Sequence, residues 1–151
     1  MRAARIVVVA VVLAACVAVA VAAVTLLTRT HDNDVPLADP SLVVEGRSQT
    51  CAQLFDRTCD FSTQQAFNTW GSGLDRFVPS VHLDASLQPM SYRQVALLGL
   101  QTCNLLNSFD NNETAFLAMV AAQYPGHRPT LFFPVWSQSR SQLCPETVMR
   151  Q

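Results

Sequence analysis

Four cysteines carry the clearest chemistry in this chain: Cys51, Cys59, Cys103 and Cys144. Thiols can ligate a metal, attack a substrate or oxidise in pairs. Zinc knuckles place two cysteines two to four residues apart, and no two of these four are that close. An even set on a small domain outside the cytoplasm points instead to two disulfides, for which three connectivities exist. The preferred pairing is Cys51 with Cys59 and Cys103 with Cys144. On the chain-entropy model the long loop would stabilise by about 4 kcal/mol and the short one by about 2.5 kcal/mol. The short pairing makes a demand on the backbone. Eight helical residues would hold the two Cα atoms about 12 Å apart, beyond disulfide reach, so a helix must break between them or each cysteine must reach elsewhere.

A fifth cysteine, Cys16, ends Leu13-Ala14-Ala15-Cys16, and Arg2 and Arg5 precede it. A basic start, an apolar stretch and a small-residue site ending in Cys are the parts of a lipoprotein signal, which makes Cys16 a candidate for lipidation. The residues after it argue the other way. From Ile6 to Leu27 only Thr25 is not apolar, and a helix of those 22 residues spans about 33 Å, enough for a bilayer core. The favoured expectation is an uncleaved anchor over 6–27, with residues 1–5 as a cytoplasmic tail by the positive-inside rule. The alternative is cleavage before Cys16. Both readings put the rest of the chain on the extracytoplasmic side of a membrane.

Composition narrows the remainder. Past Leu27 there are eight Arg against eleven Asp and Glu, a formal charge of −3, so no basic stripe exists for nucleic acid. The chain has no Lys and a single Ile, a bias that accompanies GC-rich bacterial genomes. Residues 28–47, with Pro36, Pro40 and Gly46, read as a flexible spacer. The folded domain is expected over 48–151.

Within it the patterns are helical. Ser62 and Gln65 form a capping-box pair before a short helix over Thr63–Trp70, which Gly71 ends. One helical turn is expected around Leu74–Val78. Ser91 and Gln94 repeat the cap before the longest element, where Tyr92, Val95, Ala96, Gly99, Cys103, Leu106 and Phe109 share one face. Gly99 on that face costs about 1 kcal/mol relative to Ala, which close packing against a neighbour would offset. Asp110 to Glu113 cap a further helix facing inward through Phe116, Leu117, Val120 and Tyr124. A last helix should run from Pro134 to Cys144, with Pro145 closing it. No alternating strand pattern appears. The expected class is all-α: one amino-terminal transmembrane helix and a disulfide-stapled domain of three to five short helices.

Ala96-x-Leu98-Gly99-x-x-x-Cys103-x-x-Leu106, followed by a second helix, Tyr124-Pro125-Gly126, a third helix and Leu143-Cys144-Pro145, forms a pattern of its own. Over residues 74–146 it resembles a small exported or lipid-anchored helical domain of unknown function found in mycobacteria and related actinobacteria. The resemblance implies a Cys103–Cys144 bond and a place in the cell envelope. It implies no activity. The Cys51 and Cys59 pair is additional to the family pattern.

Three functional classes are open to these residues. For an enzyme, His82 with Asp84 is the nearest thing to a catalytic pair, and both fall in a loop, whereas catalysis needs its groups held rigidly; no catalytic residue, metal site or cofactor is expected. For a haem or lipid carrier, Tyr92, Tyr124, His82 and His127 are the candidate axial ligands, although both tyrosines fit as core residues with a wet hydroxyl. The favoured class is a partner-binding or structural module. Leu131, Phe132, Phe133, Val135 and Trp136, with Trp70 as a further aromatic, exceed what so small a core is certain to need: some or most of them are core, and the surplus is the expected docking patch. Asn112–Thr114 forms a sequon, read here as part of a helix cap.

Overall fold

The computed structural model describes residues 37–87, 90–108 and 113–147. The expected anchor over 6–27, the lipidation candidate Cys16, His31 and the start of the spacer lie outside the described residues. So do Asp110 to Asn112 of the expected cap. No helix among the described residues is long and apolar enough to cross a membrane.

The fold is mostly helical and carries two disulfides. It opens with strands β1 (Leu42–Val44) and β2 (Arg47–Gln49), paired antiparallel with Val44 opposite Arg47. The two-residue loop Glu45-Gly46 has φ of 52° and 69°, the double left-handed conformation that matches the twist of a tight hairpin. Glu45 is held there by its N–H, which donates to the Asp75 carboxylate at 2.8 Å. Val44 is fully buried. The expected flexible spacer over 28–47 is therefore corrected at its end: residues 42–47 are part of the folded unit, and the all-α expectation gains a hairpin. Even Ala38 is engaged, its carbonyl accepting from Asn68 at 2.7 Å.

Helix α1 (Cys51–Phe55) starts at Thr50, whose hydroxyl accepts from the Gln53 N–H while the Gln53 side chain accepts from the Thr50 N–H. It stops after five residues at Asp56, whose φ is 55°. This is the break that a Cys51–Cys59 bond requires. With the chain turned back, the two Cα atoms lie 6.2 Å apart and the bond forms.

Helix α2 spans Phe61–Trp70, two residues longer at its start than the Ser62 cap predicted. Asp60 is the cap, its carboxylate accepting both the Thr63 N–H at 2.8 Å and the Ser62 hydroxyl at 2.7 Å. A 3-10 turn, Gly71–Gly73, leads into α3 (Leu74–Ser80), a full helix where a single turn was expected. Pro79 sits in its last turn.

Helix α4 (Tyr92–Ser108) is the central element, packed by α2, α3 and the carboxy-terminal segments. Its Ser91–Gln94 capping box forms as predicted. Gly99 does what its place on the buried face required. A Cβ there would lie 2.3 Å from Cε1 of Phe77 and 3.1 Å from Cδ2 of Leu143, so only glycine lets α3 and the chain's end approach this closely.

Helix α5 (Glu113–Gln123) buries Phe116 and Val120. After Tyr124-Pro125-Gly126, a 3-10 turn (Pro129–Phe132) runs into α6 (Phe133–Gln138) and then a single π turn (Ser139–Leu143). The expected last helix is thus real but broken into pieces, and the widened turn sets Cys144 against α4. Cys103 and Cys144 are bonded with Cα atoms 5.9 Å apart. A final 3-10 turn, Pro145–Thr147, follows.

Candidate functional site

The expected docking patch is the first thing the fold revises. Phe132 and Val135 are fully buried, and Trp136 is 2% exposed. Trp136 lies 5.3 Å centroid to centroid from Phe116, and Phe132 lies 4.7 Å from Tyr124. These three are core. Leu131 is half-buried and only Phe133, 42% exposed, faces solvent. The reason is periodicity: Phe132, Val135, Trp136 and Ser139 recur at helical spacing and line one buried face, so the run is a core seam.

The candidate catalytic pair is not assembled either. His82 Nδ1 sits 2.9 Å from the Ser80 carbonyl, while the Asp84 carboxylate accepts the Ser86 hydroxyl and N–H. Those two bonds, the hydroxyl first, hold the Asp84 carboxyl below its ordinary range. Nor do the four candidate haem ligands converge. The Tyr92 hydroxyl donates to Asp75 at 2.7 Å, Tyr124 stacks on Phe132, and His127 meets the edge of Phe132 at 6.4 Å. Burial first, then the Asp75 carboxylate, pushes the Tyr92 phenol far above its ordinary range. Among the described residues no three His, Cys, Asp or Glu side chains gather as a metal cage would require.

What the fold does build is a polar cleft around Trp70. This residue ends α2, and its indole N–H donates to the carboxylate of Glu146. The other groups come from three helical segments. Gln65 and Thr69 lie four residues apart on α2, Asn104 and Asn107 belong to the last turns of α4, and Glu146 and Thr147 lie in the final 3-10 turn. Together they enclose about 190 Å³. A second groove of about 340 Å³ is lined by Ser72, Gly73, Arg76, Gln142 and Leu143 together with part of the same wall. Thr69, Trp70 and Glu146 belong to both.

Local chemistry fixes these walls. Asn104 donates its amide to the Ser62 carbonyl at 2.8 Å, tying α4 to the start of α2. Thr69 and Thr147 donate their hydroxyls to the carbonyls of Gln65 and Cys144, leaving both oxygens able to accept. The side-chain amides of Gln65 and Asn107 have no hydrogen-bond partner among the described residues. The Cys103–Cys144 disulfide is close to these walls in sequence. Asn104 and Asn107 are one and four residues past Cys103, and Glu146 and Thr147 two and three past Cys144.

This cleft lies outside the sites expected from the sequence. Its one visible signal is the short polar pair Glu146-Thr147, which follows the bonded Cys144 after a single proline. No family model, no curated protein and no solved structure matches this chain.

Proposed function

We propose that this chain is a membrane-anchored, extracytoplasmic binding module of a bacterial cell envelope, held to the membrane by Ile6–Leu27 and receiving a small polar group in the cleft around Trp70 and Glu146. The observation that carries the reading is the pair of clefts sharing Thr69, Trp70 and Glu146. A polar, solvent-open recess with unpartnered amides is suited to recognition, since each amide offers two donors and an acceptor. The arrangement favours binding over catalysis: the cleft holds one carboxylate, no histidine and no hydroxyl paired with a base. Two disulfides support an oxidising compartment. The apolar run over 6–27 supports the anchor, and the resemblance to the exported actinobacterial domain agrees with both.

Docking through 131–136 loses its support because that segment is core, so recognition moves to the opposite end of the chain's last helix. The test is chemical-shift mapping of the full-length chain, in detergent micelles free of sugar groups, against a set of small neutral, cationic and anionic polar compounds. Saturable shifts confined to Gln65, Trp70, Asn104 and Asn107 are expected. Shifts clustering instead on Phe61, Val43 or Phe133, the large apolar side chains exposed among the described residues, would overturn the cleft as the binding surface.

A further inference from the structure

Which class of ligand suits the cleft follows from what lines it, and this inference rests on the reading of the cleft as a binding site. The smaller recess presents three side-chain amides, two threonine hydroxyls and one carboxylate, with no cation. An anion would meet Glu146 with nothing to neutralise it. A divalent metal would find a single carboxylate where several hard oxygen ligands are needed. An apolar ligand would strip water from amides it could not replace, which is unfavourable for each group left unpaired.

An organic cation would satisfy Glu146 and the other acceptors but offers nothing to the amide N–H donors of Gln65 and Asn107, so the best match is a neutral molecule whose groups both donate and accept. Hydroxyls have that character, and so do the amides that face them. The Glu146 carboxylate can accept from such a ligand as well, because the indole of Trp70 takes only part of its capacity. Size narrows the choice. At about 190 Å³ the recess falls below the roughly 300–1,000 Å³ typical of drug-sized ligands. It accommodates one ring-sized unit. The recess does not end at Trp70: the second groove shares Thr69, Trp70 and Glu146, and carries Ser72, Arg76 and Gln142 beyond them. A ligand seated in the first recess can therefore continue past the Trp70 edge into the second.

We infer that the cleft binds a neutral glycan strand, with one sugar unit among Gln65, Asn104, Asn107 and Glu146 and the next crossing Trp70 toward Arg76 and Gln142. The strand lies along the domain's surface, and no bond in it is made or broken.

The experiment is a nitrogen-15 NMR titration of the full-length chain in zwitterionic micelles. The probes are neutral oligosaccharides, chitotriose and mannotriose, set against spermidine as a cationic control. One of the saccharides should shift the Trp70 indole and the Gln65 and Asn107 side-chain amides saturably, leaving the Trp136 indole unmoved. Asn107→Ala should weaken that binding about fivefold, the equivalent of one net hydrogen bond of about 1 kcal/mol. Asn107 is exposed and unpartnered among the described residues, so the fold should tolerate the change. If spermidine moves these signals and neither saccharide does, the cleft stands as a binding site and the glycan assignment falls. If all three leave them unmoved, the glycan assignment falls and the binding role of the cleft falls with it.

Discussion

The indole N–H of Trp70 donates to the carboxylate of Glu146, 76 residues further along the chain and two residues past the bonded Cys144. That contact joins the end of α2 to the 3-10 turn that follows Cys144, and the Cys103–Cys144 bond ties the same stretch of chain to α4.

The two disulfides should differ in what they contribute. Cys103–Cys144 closes a separation of 41 residues and Cys51–Cys59 one of 8. Replacing the long pair by serines should lower stability by about 4 kcal/mol and the short pair by about 2.5 kcal/mol. Chemical denaturation of the two double variants checks this. Equal losses would mean that strain or residual structure, not loop length, sets the values.

Gly99→Ala should destabilise despite alanine's better helix propensity. The added carbon would come 2.3 Å from the buried ring of Phe77. Overpacking costs about 1–3 kcal/mol, against a gain of about 1 kcal/mol in propensity. A midpoint that rises would show that α3 and α4 can separate without penalty.

Trp136→Ala should cost about 3–5 kcal/mol and leave little folded protein, because the ring is core. Phe133→Ser, three positions earlier and exposed, should change stability by less than about 0.5 kcal/mol. Thermal melts of the pair separate a core seam from a surface patch. Similar small effects would restore the patch.

Stability should fall at both ends of the pH scale, for nameable reasons. The N–H of Thr63 and the hydroxyl of Ser62 hold the Asp60 carboxyl below its ordinary value. Its contribution is therefore fully present above the unfolded carboxylate range near 4 and is lost as pH falls through the lower folded value. Tyr92 is the reverse case: burial and Asp75 raise its phenol, so the unfolded chain deprotonates first and stability declines above about pH 10. Tyr92→Phe should flatten the alkaline limb and Asp60→Asn the acid limb, read from denaturation midpoints across pH. An unchanged limb in either variant would remove that residue as its cause.

An intact-mass measurement on protein from native membranes decides the anchor. The full chain less four hydrogens, gaining four on reduction, is the result expected from an uncleaved segment over 6–27 and two disulfides. Loss of residues 1–15 with an added diacylglyceryl group would identify Cys16 as the lipidated terminus.

Local signals made much of the helical architecture legible. Ser91 and Gln94 mark the start of α4 because a capping box is complete within four residues. Gly99 announced its close packing because a glycine on an apolar face needs a reason. The paired cysteines followed from spacing and compartment. The misses have equally specific causes. Glu45-Gly46 lacks the Asn or Asp that usually flags a tight hairpin, and it holds its conformation through Asp75, thirty residues away. Asp60 outcompeted Ser62 as a cap because its carboxylate accepts two bonds at once. Residues 131–136 were counted by composition when their spacing already set Phe132, Val135 and Trp136 on one side. The cleft is built from pieces that meet only after both α4 and the last turn are placed, so no local pattern could announce it.

The most direct test of the account is the indole region of a nitrogen-15 spectrum, recorded on the full-length chain oxidised and reduced and on Glu146→Gln. Only Trp70 and Trp136 contribute there. The Trp70 signal should lie downfield in the oxidised protein and move on reduction and on substitution, with the Trp136 signal unmoved by the substitution. A Trp70 signal indifferent to both changes would mean that the disulfide does not hold Glu146 against the indole, and that the cleft is not the organised site described.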